Sequence, residues 1–285
     1  MKQYNHRHWL KAYYDKNTIL FNKFGKVGRT SNIHASIWKE GITDSFSASN
    51  YSNQLILDAI RNYPIKCPSI LDLGCGLGGS LIYISERTDI SCTLTGITLS
   101  SYQAKKALAR IKSEISTRID IHQGDFHELP KSWEASFDIA YAIESFVHSD
   151  DPTSFLREVA RVLKPGGLLL LIDTFPKVTH DFPIVAEYIN DYRNHWGAGN
   201  TLSPEELFRI AQDLGINPAH DEDLTKYLPS DRRRDHWIGM LNKMFRPILR
   251  YHVYLQSLRG GHAVQMGFKQ GWLRYRFLRL IKSEL

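Results

Sequence analysis

Ile70-Leu-Asp-Leu-Gly-Cys-Gly-Leu-Gly-Gly-Ser80 is the stretch on which the fold turns. Its opening is a short apolar run holding a single acid, the pattern of a buried strand, and helical patterning follows over Gly78–Arg87. The glycines between them permit a tight turn and close approach of the backbone to a ligand. Outward from this unit, apolar runs alternate with helical patterns. Strands are predicted at Ser69–Leu73, Cys92–Ile97, Arg118–His122, Phe137–Ile143 and Leu168–Thr174, with helices over Ser100–Ser116 and Thr153–Leu163. Lys164-Pro-Gly-Gly167 reads as a turn. Such alternation implies βαβ units and, with right-handed crossovers, a doubly wound parallel sheet of the α/β class. Two more strands, Glu222–Tyr227 and Trp272–Ile281, complete seven. Ser203-Pro-Glu-Glu206 carries a helix start, with Ser as N-cap, Pro at N1 and Glu at N3, for a helix ending at Gly215. Asp151-Pro152 likewise caps the helix after the fourth strand, which gives Asp151 a structural role.

Two segments lie outside this core. Residues 1–65 read as a helical N-terminal lid, and 66–285 as the main domain. Residues 230–258 look helical with a break at Pro247, so an insertion at about 228–262 is expected to form a helical C-terminal cap over the sheet's carboxyl edge.

The glycine loop alone leaves its ligand open. Gly74, Gly76 and Gly79 fit the G-x-G-x-x-G spacing of dinucleotide sites. Such sites use an acid after the second strand for the ribose, and here Thr98 stands there instead. Leu71-Asp72-Leu73-Gly74-Cys75-Gly76 resembles the first motif of class I S-adenosylmethionine-dependent methyltransferases, which have a Rossmann-like sheet. Gly96-Ile-Thr-Leu-Ser-Ser-Tyr-Gln103 is similar to the G-x-T-L-S-x-x-Q of cyclopropane synthases and sterol C-methyltransferases. Gln123-Gly-Asp-Phe126 resembles the same family's adenine clamp. The resemblance, over about residues 68–175, implies S-adenosyl-L-methionine as cofactor. It would be bound by Asp72, Gly74, Gly76, Gly78, Thr98, Gln103, Gly124, Asp125 and Phe126. Each element also has a plain structural explanation: Ser100 and Gln103 fit a capping box, Asp125 fits a turn, and Asp72 a buried, hydrogen-bonded acid. Cys75 has no helper His beside it and reads as a small loop residue.

For the acceptor, Tyr141-Ala-Ile-Glu144-Ser-Phe-Val-His148 resembles the E-x-x-x-H segment of sterol and tocopherol-type C-methyltransferases, and some prenyl diphosphate C-methyltransferases carry a Glu here. The resemblance implies catalytic roles for Glu144, as base or cation stabiliser, and for His148 and Tyr14. Glu144 bonding loop amides, and His148 packing only, stay open. Tyr13-Tyr14-Asp15 and Ile33-His34-Ala-Ser-Ile-Trp38 resemble the entrance lid of small-molecule methyltransferases. His34, Tyr51, Phe146, Trp196, Arg246 and Arg250 are the candidate substrate-binding residues, with Tyr51, Phe146 and Trp196 equally open as core.

Charge adds a hint about that substrate. The net charge is +6, yet residues 226–285 carry +10 and the remainder −4. Arg232-Arg233-Arg234, Arg246, Arg250 and Arg259 fall in the expected cap and suit phosphate or carboxylate. A small-molecule isoprenoid with an anionic diphosphate head, C-methylated at a double bond in secondary metabolism, is the leading expectation; O- or N-methylation of a small natural product is its rival. Nucleic acid is disfavoured, because the basic stretch lacks interleaved stacking residues and no D/N-P-P-Y follows the fourth strand. No metal is expected, and a homo-oligomer is compatible with the sequence. The polar Met1-Lys-Gln-Tyr-Asn-His-Arg-His start and the lack of an 18-residue apolar run argue against a secretory signal or a transmembrane helix. Cys67, Cys75 and Cys92 form no disulfide framework, so a reduced, cytoplasmic setting is expected.

Overall fold

Side chains of a strand point alternately to its two faces, and here both faces are covered. Ile70, Ile139, Tyr141, Leu170 and Ile172 enter one core, while Leu71, Leu73, Ala140, Ala142, Leu169 and Leu171 enter the other. The computed structural model describes residues 6–24, 32, 34–114, 119–177, 188–229 and 253–284. Its strands are β1 Ser69–Leu73, β2 Thr93–Thr98, β3 Ile119–Gln123, β4 Phe137–Ile143, β5 Leu163–Pro176, β6 Ile216–Asp223 and β7 Leu273–Lys282. They form one sheet in the order β3-β2-β1-β4-β5-β7-β6. The first five pair in parallel, and β7 runs antiparallel to both β5 and β6. The expected seven-stranded doubly wound sheet is therefore present.

The helices are α1 His6–Phe24, α2 Ser45–Arg61, α3 Gly79–Arg87, α4 Ser101–Glu114, α5 Pro152–Val162, α6 Pro204–Asp213 and α7 Val253–Gln270. Helices α2 and α3 bury Ile56, Leu57, Ile60, Leu81 and Ile84 in the first core. Helices α5 and α6 bury Phe155, Leu156, Val159, Leu207 and Ala211 in the second. The expected caps form. Asp151 Oδ1 accepts from Ser154 N at 2.9 Å, with Pro152 following. Ser203 and Glu206 close a reciprocal box, with Glu206 Oε2 accepting from Ser203 N at 2.8 Å. Among the described residues no helix is long and apolar enough to cross a membrane.

Two expectations need correction. The sixth strand is Ile216–Asp223, not Glu222–Tyr227; Thr225–Tyr227 is a 3-10 turn. Gly215, at φ 76°, ends the helix segment and the strand starts at once. This strand is the sheet edge, so Asn217, Pro218, His220 and Asp221 stay solvated and its sequence lacks strand character. Of the helix read over 230–258, residues 230–252 lie outside the described residues, and the described helix runs on to Gln270 through Gly260-Gly261. Packing explains the pair. A π-helical turn, Tyr192–Trp196, lies against α7, and a Cβ on Gly260 would stand 2.5 Å from His195 C and Trp196 N. On Gly261 the nearest contact would be the Trp196 ring at 3.8 Å.

Gly260→Ala should therefore lower the melting temperature by several degrees. Overpacking against backbone costs about 1–3 kcal/mol, at roughly 2–4 °C per kcal/mol for a chain of this size. Gly261→Ala should leave it unchanged or raise it slightly. Thermal unfolding followed by circular dichroism separates the two, and equal behaviour would contradict this packing.

Candidate active site

The carboxyl ends of the parallel strands carry the chemistry. Asp72, on β1, is 3% exposed, and its Oδ2 accepts from Tyr141 Oη at 2.9 Å. Burial lifts its pKa to about 7, against the lowering effect of the Tyr141 bond. The loop that follows is fastened to β2: Gly74 N and Cys75 N both donate to Ile97 O, at 2.9 and 3.0 Å. Gly74, Gly76 and Gly78 have φ of 112°, 53° and 76°. Gly74 sits against Ser145, whose hydroxyl donates to Leu73 O. Gly76 faces open space, since a Cβ there would meet nothing nearer than Gln103 Nε2 at 3.9 Å. Room above this glycine, with an acid behind it and hydroxyl and amide groups beyond β2, fits a nucleoside carrying an amino-acid tail. Cys75 is buried in the loop and its thiol is pushed well up by that burial, as suits a packing residue.

At the end of β2, Thr98 Oγ1 donates to Gln103 Oε1 (2.9 Å), and Gln103 Nε2 donates to Thr18 Oγ1 (3.0 Å). Gln103 N donates to Ser100 Oγ at 3.1 Å, but the Gln103 side chain does not turn back to complete the expected capping box. Ser100 Oγ instead donates to Asp15 Oδ1. Asp15 and Thr18 both lie on α1, so the N-terminal helix closes over this corner. Beyond β3, Gly124 N donates to Thr98 O (3.0 Å), and a Cβ on Gly124 would meet Ile97 Cδ1 at 2.8 Å. Asp125 Oδ2 lies 3.3 Å from Arg7 Nη1, another α1 residue. The Phe126 ring meets Phe155 edge-on, with centroids 5.1 Å apart.

The acceptor side gathers around Glu144, which is half-buried at φ 48°. Its Oε1 accepts from Ala35 N at 2.7 Å and from Tyr275 Oη at 2.8 Å. Burial raises its pKa, against both of those bonds. His148 is buried; its Nδ1 lies 2.8 Å from Gly197 O and its Nε2 2.6 Å from Tyr14 Oη. A carbonyl only accepts, so Nδ1 carries the proton and Tyr14 donates to Nε2. Burial depresses the His148 pKa to about 4 and raises Tyr14 well above the ordinary phenol range.

Asp173, on β5, was not anticipated. It is fully buried and accepts from Val147 N (2.9 Å) and Thr174 N (2.7 Å). Burial lifts its pKa to about 8, against those two bonds, and the Glu144 charge adds to the rise. One signal was available: Asp173 is the lone acid ending the most apolar run of the chain, at the strand end where Asp72 and Glu144 also stand. Tyr275, Arg7, Asp15 and Thr18 were also missed as site residues, because they come from elements distant in sequence.

The expected substrate residues divide. His34 lies beside Ala35, with Nδ1 3.3 Å from Ala35 O, and burial lowers its pKa to about 4. Trp196, in the π turn, is partly buried against a small core cluster. Tyr51 packs on the first core under Lys39, whose Nζ is 5.6 Å from the ring centroid. Phe146 is a correction: it is 1% exposed and packs on Phe155 and Phe175, because the turn after β4 aims it into the second core. Arg232, Arg233, Arg234, Arg246 and Arg250, with Pro247, lie outside the described residues.

Comparison with known proteins shows the family to which the chain belongs. Residues 71–171 match the family described as "Methyltransferase domain". The chain is 33% identical to an O-methyltransferase of Pyrenophora dematioidea over 219 residues, 76% of this chain and 78% of that one. It is 29% identical to the 27-O-demethylrifamycin SV methyltransferase of Amycolatopsis mediterranei (strain S699), over 69% of this chain and 70% of the relative. In fold it is similar to geranyl diphosphate C-methyltransferase from Streptomyces coelicolor A3(2), solved with Mg2+, geranyl diphosphate and S-adenosyl-L-homocysteine. That likeness has a TM-score of 0.72 at 15% identity and covers 99% of this chain and 100% of that one. The chain belongs to the S-adenosylmethionine-dependent methyltransferases, and S-adenosylmethionine is its cofactor.

The elevated Asp72 pKa has a consequence for the cofactor-free protein. In the unfolded chain Asp72 ionises near 3.8, and in the folded state near 7. Between these values the unfolded state loses its proton first, so stability drops as pH rises from about 4 to 7 and levels off above. Asp72→Asn removes this effect. Its unfolding free energy relative to the wild type should climb across that window, by a few kcal/mol at most, and stay flat above about pH 8. A pH-independent difference would mean that the carboxylate is not buried as described.

Proposed function

We propose that the chain methylates an oxygen of a small hydroxylated molecule, with Tyr14 and His148 carrying away the acceptor's proton. The observation that carries this reading is the 2.6 Å bond from Tyr14 Oη to His148 Nε2, with the imidazole proton committed to Gly197 O. Bound S-adenosylmethionine supplies an electrophilic methyl group on a sulfonium. A hydroxyl attacking it must lose its proton as the C–O bond forms. The acceptor proton passes to Tyr14 Oη while the Tyr14 proton passes to His148 Nε2. The low pKa of His148 keeps that nitrogen unprotonated at neutral pH. Glu144 and Asp173 lie on the same side, and a cationic donor beside them would draw both toward their ionised forms. Relatives at about 30% identity named for O-methylation support the oxygen acceptor. On this reading α1 and α2 act as the lid that excludes water.

The second reading is C-methylation of an isoprenoid alkene, and Glu144 favours it. With Oε1 held by Ala35 N and Tyr275 Oη, the carboxylate is fixed where it could take a proton from a carbocation, while the Tyr14 and Tyr275 rings offer π faces. Of the cap arginines, Arg259 is the one among the described residues, and it is engaged by Asp191 at 2.5 Å.

A labelled-methyl assay of phenolic and hydroxylated polyketide acceptors against geranyl and farnesyl diphosphate tests the choice. Turnover on prenyl diphosphates alone would reverse it. Tyr14→Phe should cut turnover about 10²-fold and leave the affinity for S-adenosyl-L-homocysteine within about 3-fold, as for a lost proton-transfer group. Glu144→Gln should abolish the carbon chemistry if that is the reaction, and reduce oxygen methylation much less.

A further inference from the structure

Asp125, His127 and Ser149 form a chain of hydrogen bonds that the methyl-transfer chemistry does not use. Asp125 Oδ1 accepts twice from the same residue, from His127 N at 2.9 Å and from His127 Nδ1 at 2.6 Å. The other ring nitrogen, Nε2, lies 2.7 Å from Ser149 Oγ. In the neutral ring an acceptor carboxylate on Nδ1 makes Nδ1 the donor, so the Ser149 hydroxyl donates to Nε2. These residue types in this order also occur in hydrolases, but Ser149 is completely buried and no substrate carbonyl can reach it. The chain of bonds therefore has a different end product, which is the orientation of Asp125.

The geometry shows how. With Oδ1 held by two donors from one residue, rotation of the carboxylate is restricted, and Oδ2 is the oxygen left for donors other than His127. The His127 side chain is 3% exposed and cannot swing away, whereas that of Asp125 is 21% exposed. Asn200 Nδ2 pins the far end, donating to Ser149 O at 3.2 Å and to Phe146 O at 2.9 Å. Burial alone would push the Asp125 pKa up. The His127 bonds and the charge of Arg7 overcome this and hold it below the ordinary carboxylate range. Asp125 is thus ionised, an acceptor only. Arg7 Nη1 approaches Oδ2 at 3.3 Å, and a carboxylate oxygen has lone pairs for more than one donor.

We propose that His127 and Ser149 are positioning residues that aim Asp125 Oδ2 at the 6-amino group of the cofactor's adenine, so that this relay selects the nucleobase. The inference rests on the reading that Asp125 is the adenine-facing acid. An exocyclic amino group donates to the fixed oxygen. A 6-oxo purine presents a carbonyl to it instead, and two acceptors repel.

The test is isothermal titration calorimetry of the purified full chain with two probes, S-adenosyl-L-homocysteine and its 6-oxo analogue S-inosyl-L-homocysteine. The wild type should prefer the amino probe by about 10- to 100-fold, the range of one charge-assisted hydrogen bond. Asp125→Asn should bring the ratio near 1. His127→Ala should fall most of the way to that value, Ser149→Ala part of the way, and His127→Asn, whose amide nitrogen can stand in for Nδ1, should recover much of it. If His127→Ala and Ser149→Ala weaken both probes equally and keep the wild-type ratio, the relay is scaffolding and the proposal fails. If Asp125→Asn itself keeps the ratio, the assignment of Asp125 to adenine fails, and the relay's role with it. Ser149→Ala removes one hydroxyl and no ring, so it provides the answer if the His127 variants do not fold.

Discussion

Three neighbouring strands of the sheet each bring one acid to their carboxyl ends. Asp72 lies on β1, Glu144 follows β4 and Asp173 lies on β5, and in the sheet these strands are adjacent. Removing carboxylates from water is expensive unless something compensates. Each is met by donors already in the fold: Tyr141 for Asp72, Ala35 N and Tyr275 for Glu144, Val147 N and Thr174 N for Asp173. Their raised pKa values show that these bonds do not fully offset the burial. A cation placed among them completes the compensation, and a sulfonium is such a cation. The arrangement of the lid, the turn after β4 and the returning strand β7 can all be understood as supplying donors to this acidic edge.

Antiparallel β7 is essential to that supply. A sheet continued in parallel would have run the seventh strand the other way. Because β7 enters between β5 and β6 in the opposite sense, its early residue Tyr275 pairs with Thr174 near the carboxyl end of β5. From there its hydroxyl reaches Glu144, and its backbone N donates to Thr225 Oγ1 in the 3-10 turn after β6. The turn in turn holds the lid segment, since Trp38 N donates to Tyr227 O. One strand reversal thus links the acid, the edge of the sheet and the N-terminal segment.

What the sequence disclosed follows from what is local. The glycine loop, the strands β1 to β5 and the caps at Asp151 and Ser203 depend on residues within a few positions of one another, and all could be read. The polar edge strand β6 could not, because strand propensity reflects burial on a pleated surface and β6 has little of it. Gly260 has a similarly distant cause, contact with a turn some 65 residues earlier. At the site, Asp72, Glu144, Thr98 and Gln103 were legible at strand ends. Phe146 was misjudged, since nothing local says which way the turn after β4 sends its ring. Arg7 and Thr18 had no motif at all, and Asp15 only a place in the lid resemblance; their partners are set by how α1 docks.

That docking joins parts of the site which the sheet keeps apart. Arg7, Tyr14 and Thr18 are spaced by seven and four residues and so lie on one stripe of α1. Along that stripe Arg7 reaches Asp125, Tyr14 reaches His148 and Thr18 reaches Gln103, so a single helix touches the turn after β3, the turn after β4 and the start of α4. Asp15, next to Tyr14, ties the same helix to the start of α4 through Ser100. No strand end could do this, because each contributes at one place only. On the proposed reading Tyr14 takes an acceptor's proton only when the helix is seated. The same seating closes Gln103 and Asp125, so on that reading recognition of the donor and preparation of the base would be one event.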